Sequence, residues 1–175
     1  MRKTLLLLAF IIISTLSYAQ NSMHGIRVGL NISNLDFEPH PNFDNNHRNG
    51  FAIGVFGEYD LSKKVAIAPE IQFSAEGAKA QDLRIDYIQI PILMKYRFND
   101  TFSVGAGPMA GVKIWEFEDG MKNFAFSVVG GIEVFITSDI FIDARYHYGL
   151  TNVIDDDSTF EAKNSNIQIG VGFKI

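Results

Sequence analysis

Three residues at alternate positions, Asp143, Arg145 and His147, are the first in this chain whose types could do chemistry: an acid, a fixed cation and a proton shuttle. With a serine from elsewhere, such as Ser74 or Ser127, they would supply the parts of an acyl-transfer site. The spacing argues against it. Alternate residues of a strand lie about 6.5–7 Å apart, so Asp143 and His147, with Arg145 between them, cannot form an orienting pair. No segment displays a recognisable nucleophile motif, and no catalytic residue is expected.

Other groupings lead no further. Asp155, Asp156 and Asp157 are consecutive carboxylates, which do not reproduce the alternating ligands of a calcium loop, and a solvated acidic loop is expected. His40 and His47 share a segment with Asp36, Glu38 and Asp44, at a spacing matching no known metal site. Gly105, Gly107 and Gly111 miss dinucleotide-loop spacing and fall within an alternating segment. Trp115, Phe117 and Met121 could touch a partner or lie against a rim. No metal or cofactor is expected.

What the charges share is parity. The stretch Y-I-Q-I-P-I-L-M-K-Y-R-F, residues 87–98, puts Ile88, Ile90, Ile92, Met94, Tyr96 and Phe98 on one face of a strand, and Gln89, Pro91, Leu93, Lys95 and Arg97 on the other. Similar period-2 alternation recurs over 25–33, 49–60, 64–76, 101–114, 124–136, 140–150 and 166–175, giving eight ribbons. The polar faces carry Glu58, Glu70, Glu76, Glu133 and Asp143 with Lys95, Arg97, Lys113, Arg145 and Lys174. Short connections (60–63, 99–101, 137–139) alternate with long polar ones (34–48, 77–84, 115–123, 151–163), the signature of an up-and-down barrel in an outer membrane. Tyr59, Tyr96, Phe98, Phe102, Phe173, Tyr146 and Tyr148 lie near strand ends, where aromatic girdles meet headgroups. Pro69, Pro91 and Pro108 fall mid-strand, where local bulges or side-chain donors are expected.

Composition bounds the rest. A chain of 175 residues with net charge −5 is one domain with no basic surface for nucleic acid. It has no cysteine, which excludes disulfides and thiolate chemistry. Arg2 and Lys3, the apolar run 5–13 and Ser17-Tyr18-Ala19 form a cleavable secretory leader over 1–19, leaving a barrel domain at 20–175.

On the leader ending in Tyr18-Ala19-Gln20, the 87–98 strand, the G-A-G-P segment at 105–108 and a Gly-rich last strand, the chain resembles the PorT-like outer-membrane β-barrel domain of small exported proteins of Gram-negative bacteria. Its final residue, Ile175, departs from the terminal aromatic of many such barrels. The resemblance implies an all-β, eight-stranded antiparallel up-and-down barrel and porin-family labels. The inward charges, Glu58, Glu70, Glu133, Asp143, Lys95, Arg97 and Arg145, are expected to form a structural network occluding the lumen, because buried charge is costly unless paired. His147 is expected to be a satisfied luminal histidine. The expected role is structural or interactive in the cell envelope, touching outer-membrane lipid or lipopolysaccharide, with the outer loops as the place for an envelope protein partner. A narrow channel, an accessory subunit of a secretion or adhesion system and a soluble lipocalin-like barrel are the alternatives.

Overall fold

The computed structural model describes residues 22–115, 120–155 and 160–175. The expected leader, Phe117, Asp156 and Asp157 lie outside them. Eight strands, β1 (Ser22–Glu38), β2 (Arg48–Asp60), β3 (Val65–Gly77), β4 (Arg84–Arg97), β5 (Phe102–Ile114), β6 (Phe124–Phe135), β7 (Ile140–Gly149) and β8 (Glu161–Lys174), pair with their sequence neighbours into a closed barrel. Every ladder is antiparallel, and β8 closes on β1. Following partners once around, Ser22, Tyr59, Ile67, Met94, Ala106, Gly130, Tyr146 and Ile167 lead back to Ile32, ten residues beyond the start. That stagger tilts the strands and leaves an interior which side chains can fill.

The short turns are closed by their own residues. Ser62, Asn99 and Thr137 each accept a backbone N–H from the start of the next strand, Val65 at 3.1 Å, Phe102 at 2.8 Å and Ile140 at 3.0 Å. These residue types bond local backbone, which favours a tight reversal over continued strand.

Two expectations are corrected. No bulge forms at the prolines: pairing resumes in unchanged register from Phe56↔Glu70 to Tyr59↔Ile67, from Pro69↔Ile92 to Gln72↔Gln89, and from Pro91↔Met109 to Met94↔Ala106. A proline has no N–H to give, so one ladder is interrupted beside Pro69, the next beside Pro91 and the next beside Pro108 without any inserted residue. Behind these gaps Ala68, Leu93, Met109 and Val129 pack as a small apolar cluster.

β1, β4 and β8 also run further toward the long loops than their alternation of apolar-out and polar-in suggested. β1 continues to Glu38, paired with Glu161 of β8. Along this extension the pattern inverts. Leu30 and Ile32 point outward, 69% and 44% exposed, whereas beyond them Leu35 and Phe37 are buried and Asp36 and Glu38 are exposed. The same switch occurs on β4, where Ile88 and Ile90 are exposed but Ile85 and Tyr87 are buried. Leu35, Phe37, Ala78, Ile85, Tyr87, Met121, Ala125, Val153 and Ala162 make an apolar core at the long-loop end. Apolar-out is stable only against hydrocarbon and apolar-in only against water, so the inversion marks where lipid ends. Of the residues expected against this rim, Trp115 is 68% exposed, while Met121 is buried in this core.

Aromatics border the apolar band. Tyr96, Phe98 and Phe102 form a ring ladder at the short-turn end, with centroids 5.0 and 5.5 Å apart. Phe51 and Phe73, 5.2 Å apart, stand toward the other. The latter pair, with exposed Phe124 and Phe126, was not assigned to a girdle from sequence.

A cation on the mid-barrel outer face should therefore be costly. Ile53→Lys is expected to destabilise the folded membrane form by about 2–4 kcal/mol, and Asp36→Lys, outside the inversion, by less than about 1 kcal/mol. Urea titration in lipid bilayers checks this; equal effects would contradict the boundary.

Candidate functional site

Strand parity directs every second side chain of the band into the lumen. Five cations, Arg27, Lys95, Lys113, Arg145 and Lys174, and five carboxylates, Glu58, Glu70, Glu76, Glu133 and Asp143, are buried there among the described residues. An ion removed from water costs several kcal/mol unless its partners replace the lost hydration, so the pairings decide whether this interior is tenable.

At the short-turn end Glu58 receives Lys95 at 3.0 Å, Lys174 at 2.9 Å and Arg97 at 2.5 Å. Lys95 also reaches Glu133 at 2.6 Å. Phe56, Phe135 and Phe141 line this level, and Lys174 lies 4.5 Å over the Phe135 ring. Arg97, expected with the inward set, stands at the mouth with its side chain 20% exposed and also bonds Asp60.

Mid-barrel, Arg145 pairs with Glu70 at 2.7 Å and lies 3.6 Å from Asp143 and 3.8 Å from Glu133. Arg27 grips Asp143 through both Nε and Nη2 and also donates to Gln168. This two-pronged contact matches a planar guanidinium to a planar carboxylate. Arg27 was missed as an inward charge, although it shares parity with Asn31, which is the signal that would have found it. Glycines make the room: a Cβ on Gly170 would come within 2.6 Å of Arg27 Nη2, and one on Gly172 within 2.1 Å of the Phe141 ring.

Above lies a tier of amides. Gln168 donates to Asn31 at 2.7 Å and Gln72 to Gln89 at 2.8 Å. Glu76 accepts from Ser74, Gln89, Asn164 and Asn166, neutral donors throughout.

The residues that suggested catalysis do not assemble it. Asp143 is held by Arg27. The His147 ring, buried, has no hydrogen-bond partner among the described residues, and its nearest carboxylate oxygen, on Glu76, is 3.9 Å away. Ser74 donates to Glu76 instead of approaching His147. The satisfied histidine expected from sequence is thus corrected. Among the described residues, no three His, Asp or Glu side chains are grouped so as to hold a metal ion. The site is a set of crossed ion pairs between an aromatic floor and an apolar lid.

A family model described as outer membrane protein beta-barrel domain matches residues 5–174. No match to the chain was found among the curated proteins. Among solved structures, the chain is similar to Ail, the attachment invasion locus protein of Yersinia pestis, with 14% identity and a TM-score of 0.55, covering 89% of this chain and 100% of that one. It is similarly related to the same protein in complex with the heparin analogue sucrose octasulfate, with 16% identity, a TM-score of 0.57 and the same coverages. Neisserial surface protein A shares 13% identity at a TM-score of 0.58, again over 89% and 100% of the two chains.

Removing one member of the central pair leaves the other ion buried alone. Arg27→Met is expected to destabilise by about 3–5 kcal/mol, and adding Asp143→Leu to recover most of that loss. Stability of single and double variants in bilayers checks it; a double variant no better than the single would contradict the pairing.

Proposed function

The chain belongs to the outer membrane protein beta-barrel domain family, and from that premise we propose that it is a plugged envelope barrel with a structural or interaction role, acting through its outer loops. Its place is the outer membrane, and its wall contacts lipid. The observation that carries the reading is the lumen: Glu58, Glu70, Glu133, Asp143, Lys95, Arg97 and Arg145 are tied into contiguous ion pairs, supplemented by Arg27 and Lys174. Passage of a hydrated solute would require parting several of these pairs at once, each leaving unpaired charge in a confined space. The charges therefore serve the fold, and no catalytic role is assigned to them.

The finer affiliation with PorT-like barrels, and export in a Gram-negative cell by a leader over 1–19, are supported by the sequence features given above. A protein partner would meet the outer loops, where Trp115 is presented on a left-handed backbone with φ 70°.

Planar bilayers test the plug. The reconstituted protein should show no discrete conductance steps, while removing the mid-barrel Arg145–Glu70 pair by Arg145→Ala with Glu70→Ala should introduce them in protein that still folds. Steps from the unaltered protein would contradict occlusion.

A further inference from the structure

Glu76 and His147 face each other at the outer end of the plug, with His147 Nδ1 lying 3.9 Å from Glu76 Oε1. Glu76 is 0% exposed and His147 2%. Glu76 pairs across the β3–β4 ladder with Ile85, so it sits at the base of the apolar lid.

No lysine or arginine pairs with the Glu76 carboxyl among the described residues. Its bonding neighbours on β3, β4 and β8, namely Ser74, Gln89, Asn164 and Asn166, are all neutral. The cations of the surrounding strands are engaged elsewhere: Arg27 with Asp143, Arg145 with Glu70, Arg48 with Asp86 and the Glu76 backbone carbonyl, Lys113 with the Met121 carbonyl. An ionised Glu76 is therefore a buried charge offset only by dipoles, which is a costly state.

The cluster is also rich in acceptors and short of donors. Among the described residues neither His147 nitrogen has a hydrogen-bond partner, and Asn164 and Asn166 each leave Oδ1 unbonded. A proton on Glu76 supplies a further donor. Its O–H reaches His147 Nδ1 once the gap closes by about 1 Å, and a half-turn of either amide offers an oxygen to the same proton. The ring is the poorer place for that proton, because Arg145 stands two residues along the same face and Arg27 is bound to the same strand through Asp143.

We propose that Glu76 is held as an uncharged carboxylic acid, its proton directed to His147, and that the pair is a pH-sensitive latch at the outer end of the plug. Ionisation in alkali sets an unpaired negative charge among amide oxygens and loosens β3 from β7 and β8 at this level. The latch belongs to the closed barrel and is separate from any interaction role of the loops.

Proton linkage sets the pH profile. In the unfolded chain Glu76 and His147 titrate near about 4.3 and about 6.5, whereas the folded pair keeps one proton throughout that interval. Between those values the folded and unfolded states hold equal numbers of protons. Above about 6.5 the folded state holds one more, so the folding constant falls about tenfold per pH unit until Glu76 ionises within the fold. E76Q has no such proton to lose, and this decline is missing from it.

The test is urea titration of the full chain in lipid bilayers from about pH 6.5 to about pH 9, with E76Q beside it. The folding constant of E76Q relative to the unaltered chain should rise about tenfold per pH unit at the start of that range. E161Q, on the exposed face of β8, should follow the unaltered chain. A ratio that does not change with pH overturns the latch, as does the same rise in E161Q. Infrared absorption of the unaltered protein is a second readout that needs no variant. A carboxylic-acid carbonyl band should persist at about pH 8, because the buried carboxylates Glu58, Glu70, Glu133 and Asp143 are ion-paired. Lack of that band overturns the proposal even where E76Q fails to fold.

Discussion

The structure depends on a barrel closed against hydrocarbon having to keep its polar groups inside, where side chains must supply one another's partners. Eight strands satisfy one another's backbone and leave a lumen that side chains fill. Charges placed there must find each other across it. Arg27 and Asp143, 116 residues apart, join β1 to β7 without being on paired strands, and Arg145 and Glu70, 75 residues apart, cross from β7 to β3. Such contacts brace the wall from within.

The same requirement explains the two ends. Near the short turns Lys95 and Lys174 lie over Phe56, Phe135 and Phe141, so the cations meet ring faces as well as Glu58. Toward the long loops the ribbons leave the lipid and become an ordinary aqueous fold, with Leu35, Phe37 and Tyr87 inside and Asp36 and Arg84 outside. One sequence pattern is thus read in opposite senses by two solvents. Above that boundary lie the mouth residues Arg48, Lys79 and Arg84, with Arg48 paired to Asp86.

Much of this was legible in the residues. The alternation of Ile88, Ile90, Ile92 and Met94 with Gln89, Leu93 and Lys95 fixes a two-faced strand, and the turn residues at Ser62, Asn99 and Thr137 fix the reversals. The extension of β1 through Leu35 and Phe37 was hidden, because an inverted alternation looks like a polar loop until the solvent boundary is known. Unbroken register past Pro69, Pro91 and Pro108 was hidden as well: a closed barrel holds each strand by both neighbours, and that restraint outweighs one missing donor. Partner choice, above all Arg27 with Asp143, depends on barrel stagger, which no single ribbon encodes. The isolation of His147 follows from the same crowding, since Arg27 and Arg145 claim the carboxylate on its own strand.

That hydrocarbon bathes the outer face while the lumen excludes water can be tested directly, because the chain has no native cysteine. Single cysteines are placed at Ile169 outside, at Ser74 and Ser103 inside and at Asn46 in a loop, and each folded protein in bilayers is exposed to a water-soluble maleimide. Labelling at Asn46→Cys alone, with the other positions reacting after unfolding, is the expected result. Rapid labelling of Ile169→Cys would put the outer face in water, and rapid labelling of Ser74→Cys or Ser103→Cys would open the lumen; either contradicts the account.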